Sequence, residues 1–179
     1  MKKFELTTNT KMHLGKKLFQ IKALISFGDV EAGELGGYIE KEENLDQSGN
    51  AWVYGDARVY GDARVSGNAW VTGNAWVADN ARVADNARVT DNAWVTGDAR
   101  VTGDASYTTI KGFGREYRTT TFFRCKDGKV RVQCGCFYGD LKEFRAIVKE
   151  THGESKKAKE YLMIADLMEL HFEENENDK

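Results

Sequence analysis

Residues 55–77 read GDARVYGDARVSGNAWVTGNAWV. The phrase is six residues long, and it runs without insertion from Gly49 to Thr108 as ten hexads, GNAWVY at the start and GDASYT at the end. The third letter is always Ala, and the fifth is Val in every hexad but the last, where it is Tyr107. Letters two apart share a face of an extended strand, so Ala and Val point one way and the Trp or Arg between them points the other. The first two letters are Gly or Asp followed by Asn or Asp, residues that accept tight or left-handed corners. Each hexad is therefore a strand of about four residues ending in a corner. A corner every six residues lets no flat sheet grow. Three hexads close instead into a triangular coil of 18 residues, and coils stack at about 4.8 Å.

This pattern resembles the left-handed parallel β-helix of hexapeptide-repeat proteins, where an aliphatic residue recurs every six with a small residue two before it, as in Ala51/Val53 and Ala57/Val59. The handedness comes from the resemblance. The chain divides into an N-terminal β cap (1–48), the repeat (49–108) and a C-terminal hairpin with two helices and an acidic tail (109–179). In the cap, Phe19, Ile21 and Ala23 alternate as a strand and the glycine-rich stretch before the repeat reads as turns. In the last unit, Asp127-Gly128 marks a two-residue hairpin turn. That turn pairs Cys125 with Val130 and Phe123 with Val132, and sets Cys134 on the same face. Asp140 with Glu143 opens a helix whose buried stripe is Leu141, Phe144, Ile147 and Val148, and Gly153 closes it. Ser155 opens a second helix, with Ala158, Tyr161, Leu162 and Ala165 on one side.

Folding the outward letter by 18 sorts it. One side carries Trp52, Trp70, Arg88 and Ser106, the next Arg58, Trp76 and Trp94, the third Arg64, Arg82 and Arg100. On the third side, a solvated ladder with corner carboxylates such as Asp62, Asp79 and Asp98 is one expectation, and an anion-facing stripe is the other. On the tryptophan sides, cover by the chain's own termini or a second copy competes with a foreign partner. Arg64, Arg82, Arg100, Trp76, Trp94, Trp52 and Trp70 are the candidate partner-binding residues.

The formal net charge is −2 and the three Cys read as thiols in an unexported chain. No signal peptide and no run of roughly 18 apolar residues appear, so no membrane partner is expected. The absence of proline suits a chain of paired strands. Hexapeptide-repeat acyltransferases use a His between subunits, but residues 49–108 contain no His, Cys, Glu or Lys. His13, His152 and His171 all lie outside, and His152 reads as a cation at a helix C-terminus. Cys125, Cys134 and Cys136 are poorly spaced for zinc and read as core or surface thiols. No catalytic residue, metal or cofactor is expected.

The entry GELGGYIEKEENL, the hexads, and the exit GCFYGDLKEF with VKETHG and AKEYL together resemble a group of small phage- and prophage-encoded proteins with a β-helical middle. That resemblance implies a phage setting in the host cytoplasm; by analogy with other small phage proteins, a host protein or nucleoprotein is the expected partner. The expected function is non-catalytic binding that blocks a host defence system in the manner of an anti-CRISPR, with self-association as dimer or trimer; direct nucleic-acid binding is the weaker expectation. A purely structural protein and an acyltransferase-like enzyme are the alternatives.

Overall fold

The computed structural model describes residues 1–103, 106–114 and 116–173. Asp104 and Ala105 of the tenth hexad, and residues 174–179 of the solvated tail expected over Glu173–Lys179, lie outside the described residues. The chain opens with two long strands, β1 (Phe4–His13) and β2 (Lys16–Ala23), then β3 (Leu35–Ile39) and a 3-10 turn at Glu42–Asn44. Nine two-residue strands follow, one per hexad: β4 (Trp52–Val53), β5 (Arg58–Val59), β6 (Arg64–Val65), β7 (Trp70–Val71), β8 (Trp76–Val77), β9 (Arg82–Val83), β10 (Arg88–Val89), β11 (Trp94–Val95) and β12 (Arg100–Val101). The C-terminal unit has β13 (Tyr107–Phe113), β14 (Arg118–Arg124), β15 (Val130–Cys134), β16 (Phe137–Asp140), α1 (Leu141–His152) and α2 (Lys156–Phe172).

The nine short strands form three parallel ladders, β4-β7-β10, β5-β8-β11 and β6-β9-β12. Partners are 18 residues apart throughout, as in Val53↔Val71, Val59↔Val77 and Val65↔Val83. Ala and Val of every hexad from Ala51 to Val101 fill the prism and are fully or almost fully buried. The corners follow from the first letter: Gly49, Gly55, Gly61, Gly67, Gly73 and Gly97, and also Asp79, Asp85 and Asp91, all have φ between 55° and 70°. The three Asp corners occupy one rung, with glycine corners 18 residues before each of them. A Cβ on Gly67 would stand 2.9 Å from the Asp85 nitrogen, so two side-chain-bearing corners cannot stack at this spacing without a shift.

The coil does not begin at Gly49. β3 pairs in parallel with β5, Tyr38↔Arg58, and Leu45 bridges Val65. These partners are 20 apart, so the two extra residues of the first turn fall between Leu45 and Ala51. Gly36 and Gly37, which the sequence places in turns, lie within β3. They are needed for close approach: a Cβ at Gly36 would sit 2.6 Å from the Val53 carbonyl and 2.8 Å from the Trp52 ring. Above this turn the β1–β2 hairpin brings Phe4, Ile21 and Ala23 onto the end of the prism. Lys3, also buried, donates from Nζ to the Ala51 carbonyl at 2.9 Å. Burial pulls its pKa down to about 8.

At the other end the tenth hexad leaves the coil. Tyr107 starts β13, and its hydroxyl donates to the Arg88 carbonyl at 2.5 Å. The C-terminal hairpin is the middle of a four-stranded antiparallel sheet, β13-β14-β15-β16. Its register differs by one from the two-residue-turn expectation: Arg124 pairs with Val130 and Phe122 with Val132. Gly128 takes φ 76° in a three-residue loop, Lys126–Gly128, closed by Cys125 N–H to the Lys129 carbonyl. One extra loop residue reverses the facing of one strand relative to the other. Phe123 and Cys125 therefore join the prism core, whereas Phe122, Val132 and Cys134 face the helices. Cys125 and Cys134 stand on opposite faces.

α1 carries the expected Asp140/Glu143 capping box and ends at Gly153, and Ser155 caps α2. Phe144 and Val148 are buried, and Leu141 packs beside them, but Ile147 is exposed. In α2 the buried stripe is Ala158, Tyr161, Ile164, Ala165, Met168 and Phe172; Leu162 lies at its edge.

Two predictions follow from these contacts. Gly67→Val forces a β-branched residue into a left-handed corner stacked on Asp85 and is expected to cost roughly 1–3 kcal/mol, measured as a fall in Tm. Phe123→Ala opens the end of the prism and is expected to cost about 3–5 kcal/mol by denaturant unfolding.

Candidate functional site

The prism presents three outer faces, and the chain treats them differently. On the face of β4, β7 and β10, Trp52, Trp70 and Arg88 stack in order. Trp52 is 0% exposed, edge-on to Phe4 at 6.2 Å and Phe27 at 5.4 Å between ring centroids. It meets no partner and drops out of the candidate binding residues, because β3 and the N-terminal hairpin close over it. Trp70 is half-buried between Tyr54, 5.5 Å away, and the Arg88 guanidinium, 4.8 Å from its ring. At the neighbouring corner, Asn50 donates to Asn68 and Asn68 to Asn86, each at 3.1 Å. This ladder is visible in the sequence as Asn recurring every 18 residues at the second letter.

On the face of β5, β8 and β11, Trp76 and Trp94 pair edge-on at 5.0 Å. The tip of the β1–β2 hairpin folds down over them. His13 meets Trp76 at 4.2 Å and Tyr60 at 5.4 Å. Leu18 packs against Tyr38, Tyr60 and Ala78, and Lys11 pairs with Asp56 at 2.6 Å. From below, Thr121 Oγ1 accepts from the Trp94 backbone N–H at 3.0 Å. Both Trp76 and Trp94 are half-buried under their own chain. The histidine is held neutral: burial, then Arg58 and Lys11, lower its pKa.

The face of β6, β9 and β12 has no such cover. Arg82 pairs in register with both Arg64 and Arg100, so the three guanidiniums leave adjacent rungs at steps of about 4.8 Å. Arg64 and Arg82 are exposed. The expected carboxylate ladder is not formed among the described residues. Asp62 is taken by Lys41 Nζ at 2.7 Å. Asp79 accepts from Thr96 Oγ1 and the Gly97 N–H. Arg100 donates to the Asn80 and Ala99 carbonyls, at 3.2 and 3.1 Å. No carboxylate among the described residues is within ion-pair distance of Arg64, Arg82 or Arg100. Two grooves flank the row. One, of about 600 Å³, is walled by Glu42, Glu43 and Asp46 beside Arg64 and Arg82. The other, of about 430 Å³, holds Lys41, Asp62, Asp98 and Lys126 beside all three arginines. The Lys side chains came from outside the repeat, and no six-residue pattern announced them.

A ladder of 18-residue coils with Ala and Val inside and three sorted faces outside is now in view. A family model described as the YdcK beta solenoid repeat matches residues 51–65, 57–73 and 63–79. The chain is a β-solenoid repeat protein. No curated protein matches it. The matched windows span β4 to β8 of the solenoid.

The C-terminal unit of the solenoid protein has a smaller cleft of about 270 Å³ lined by Arg118, Cys134, Phe137, Phe144, His152 and Tyr161. His152, at the end of α1, stacks on Tyr161 at 5.9 Å. Burial, then the nearby Cys134 thiol, pushes the Tyr161 pKa up to about 12, and its hydroxyl donates to the Phe113 carbonyl at 3.3 Å. Among the described residues no three His, Cys, Asp or Glu side chains gather closely enough to hold a metal ion. No helix among them is long and apolar enough to cross a membrane.

The His13 contact carries a pH prediction. Its folded pKa lies below the ordinary 6.5, so its contribution is complete above 6.5 and is lost as pH falls from there toward the folded value. Acidification should destabilise the native protein and shift Trp76 fluorescence. His13→Phe should flatten that dependence, and a wild-type-like pH profile in this variant would show that another group titrates.

Proposed function

We propose that the protein is a non-catalytic binding scaffold whose Arg64–Arg82–Arg100 face engages an acidic patch on another protein. The observation that carries this reading is the row itself: three guanidiniums in register, two of them exposed, and none paired with a described carboxylate. Such a row meets carboxylates through bidentate hydrogen bonds, which is the geometry arginine favours over lysine. Its surroundings favour protein over nucleic acid as partner. Glu42, Glu43 and Asp46 border one side of the row and Asp62 and Asp98 the other. A continuous phosphate backbone laid along the arginines would run against these acids, whereas a protein surface of mixed sign can match both.

Composition supports a non-catalytic role. The solenoid's hexads contain no His, Cys, Glu or Lys, and His13 is committed to holding the hairpin on Trp76. In the phage setting that the sequence resembles, the partner is a host protein in the host cytoplasm. Binding its acidic surface would block that protein's own contacts, as an inhibitor of host defence does.

The test is capture from host lysate by the wild type and by the triple variant R64A/R82A/R100A, at low and raised salt. The wild type is expected to retain a protein whose binding weakens with salt, and the triple variant to lose it while keeping its far-UV spectrum. A partner held equally by both would overturn the reading. Retention of duplex DNA by the wild type, lost in the variant, would replace it with nucleic-acid binding.

A further inference from the structure

A helix that packs on one side of a domain normally turns charge toward solvent. α2 does not. Opposite its buried stripe, Met163, Leu167 and Leu170 stand 72%, 54% and 65% exposed. Their spacing, i, i+4 and i+7, sets them in one line on the outer face. The edges of this line are polar, Glu160 and Asp166 among them, so the patch has an apolar centre and a charged rim.

The charges along the helix are also sorted. Lys156, Lys157 and Lys159 stand in the first turn, and Asp166, Glu169 and Glu173 at the other end. Arg145 of α1 neutralises Asp166 at 2.8 Å and Glu169 at 2.6 Å, and Lys156 is matched by Glu160 at 3.6 Å. Among the described residues, what remains beside the apolar line is an unpaired Lys159 at one end and an unpaired Glu173 at the other. A second copy of α2 laid antiparallel satisfies both features. Leu167 meets Leu167 of the partner subunit near the two-fold axis, and Met163 meets Leu170 of the partner subunit. Lys159 approaches Glu173 of the partner subunit, twice by symmetry. A parallel arrangement would set lysine against lysine. We infer that the protein forms a two-fold dimer through the outer face of α2.

This dimer does not rest on the arginine face, which lies on the solenoid and stays free in it. The contact is small, with three apolar side chains on each copy, so a weak, concentration-dependent dimer is expected.

Sedimentation equilibrium of the full chain tests it. The wild type should show a concentration-dependent mass of two chains. Leu167→Glu should sediment as a monomer with an unchanged far-UV spectrum. Met12→Lys, an equally exposed apolar residue on the N-terminal hairpin, should leave the dimer intact. Charge reversal gives an independent arm. K159E and E173K should each weaken the homodimer by about tenfold, and their mixture should restore association, because each reversed end then finds its opposite. A wild type that stays monomeric at high concentration, a trimer, or a dimer that survives Leu167→Glu would each overturn the inference. So would a mixture that associates no better than its components.

Discussion

The backbone ladder between successive rungs is the constraint on which this protein depends. Residue after residue donates its N–H to the carbonyl 17 positions on: Trp52 to Ala69, Arg58 to Ala75, Arg64 to Ala81, and so on down the prism at 2.6–3.1 Å. Two-residue strands are far too short to hold a sheet alone. They persist because each side closes on the next through a left-handed corner, and because the interior column of Ala and Val is buried between rungs. The corner chemistry sets the spacing, since a bare backbone must stack on the next corner within van der Waals contact. Once this ladder is in place, every outer side chain is aligned with those 18 residues away, and arginine and tryptophan columns follow without further specification.

Such a ladder has two open ends, and a stacked coil with bare ends would keep adding strands. The two ends are closed by different means. At the top, β3 extends the coil by strand pairing, after which Phe4, Ile21 and the buried Lys3 seal carbonyls and apolar surface together. At the bottom, a sheet laid across the prism ends growth. Phe123 and Cys125 plug the core, Tyr107 takes the Arg88 carbonyl, and Thr121 takes the Trp94 N–H. The same caps decide which faces remain for partners. The N-terminal hairpin consumes Trp52 and leans on Trp76, and the C-terminal sheet reaches Trp94. The arginine face is flanked by grooves but left unroofed.

The protein therefore separates its surfaces by chemistry. The arginine row offers charge on a support fixed by the backbone ladder between rungs. The outer face of α2 offers apolar side chains on an element away from the solenoid. An assembly built through α2 would present two rigid arginine rows, and linked copies bind a repeated or paired target more tightly than one copy.

The hexad alone determined the prism. A period of six with two inward letters and a corner admits only a closed coil of short strands, and folding the sequence by 18 aligns Arg64, Arg82 and Arg100. Helix caps at Asp140 and Ser155 were legible for the same reason, since each is a local interaction written in adjacent residues. What lies over each face was not legible. The burial of Trp52 by Phe4 and Phe27, the His13–Trp76 contact and the diversion of Asp62 to Lys41 join residues 21 to 63 positions apart, with no repeat to relate them. The facing of Cys125 and Cys134 turned on one residue of loop length, which reverses a strand's two sides while leaving its sequence unchanged. Gly36 and Gly37 read as turn residues because local sequence cannot show a tryptophan pressing on a strand from another part of the chain. Periodic contacts repeat their evidence in the sequence; a contact made once, between distant segments, is decided only when the chain has folded around it.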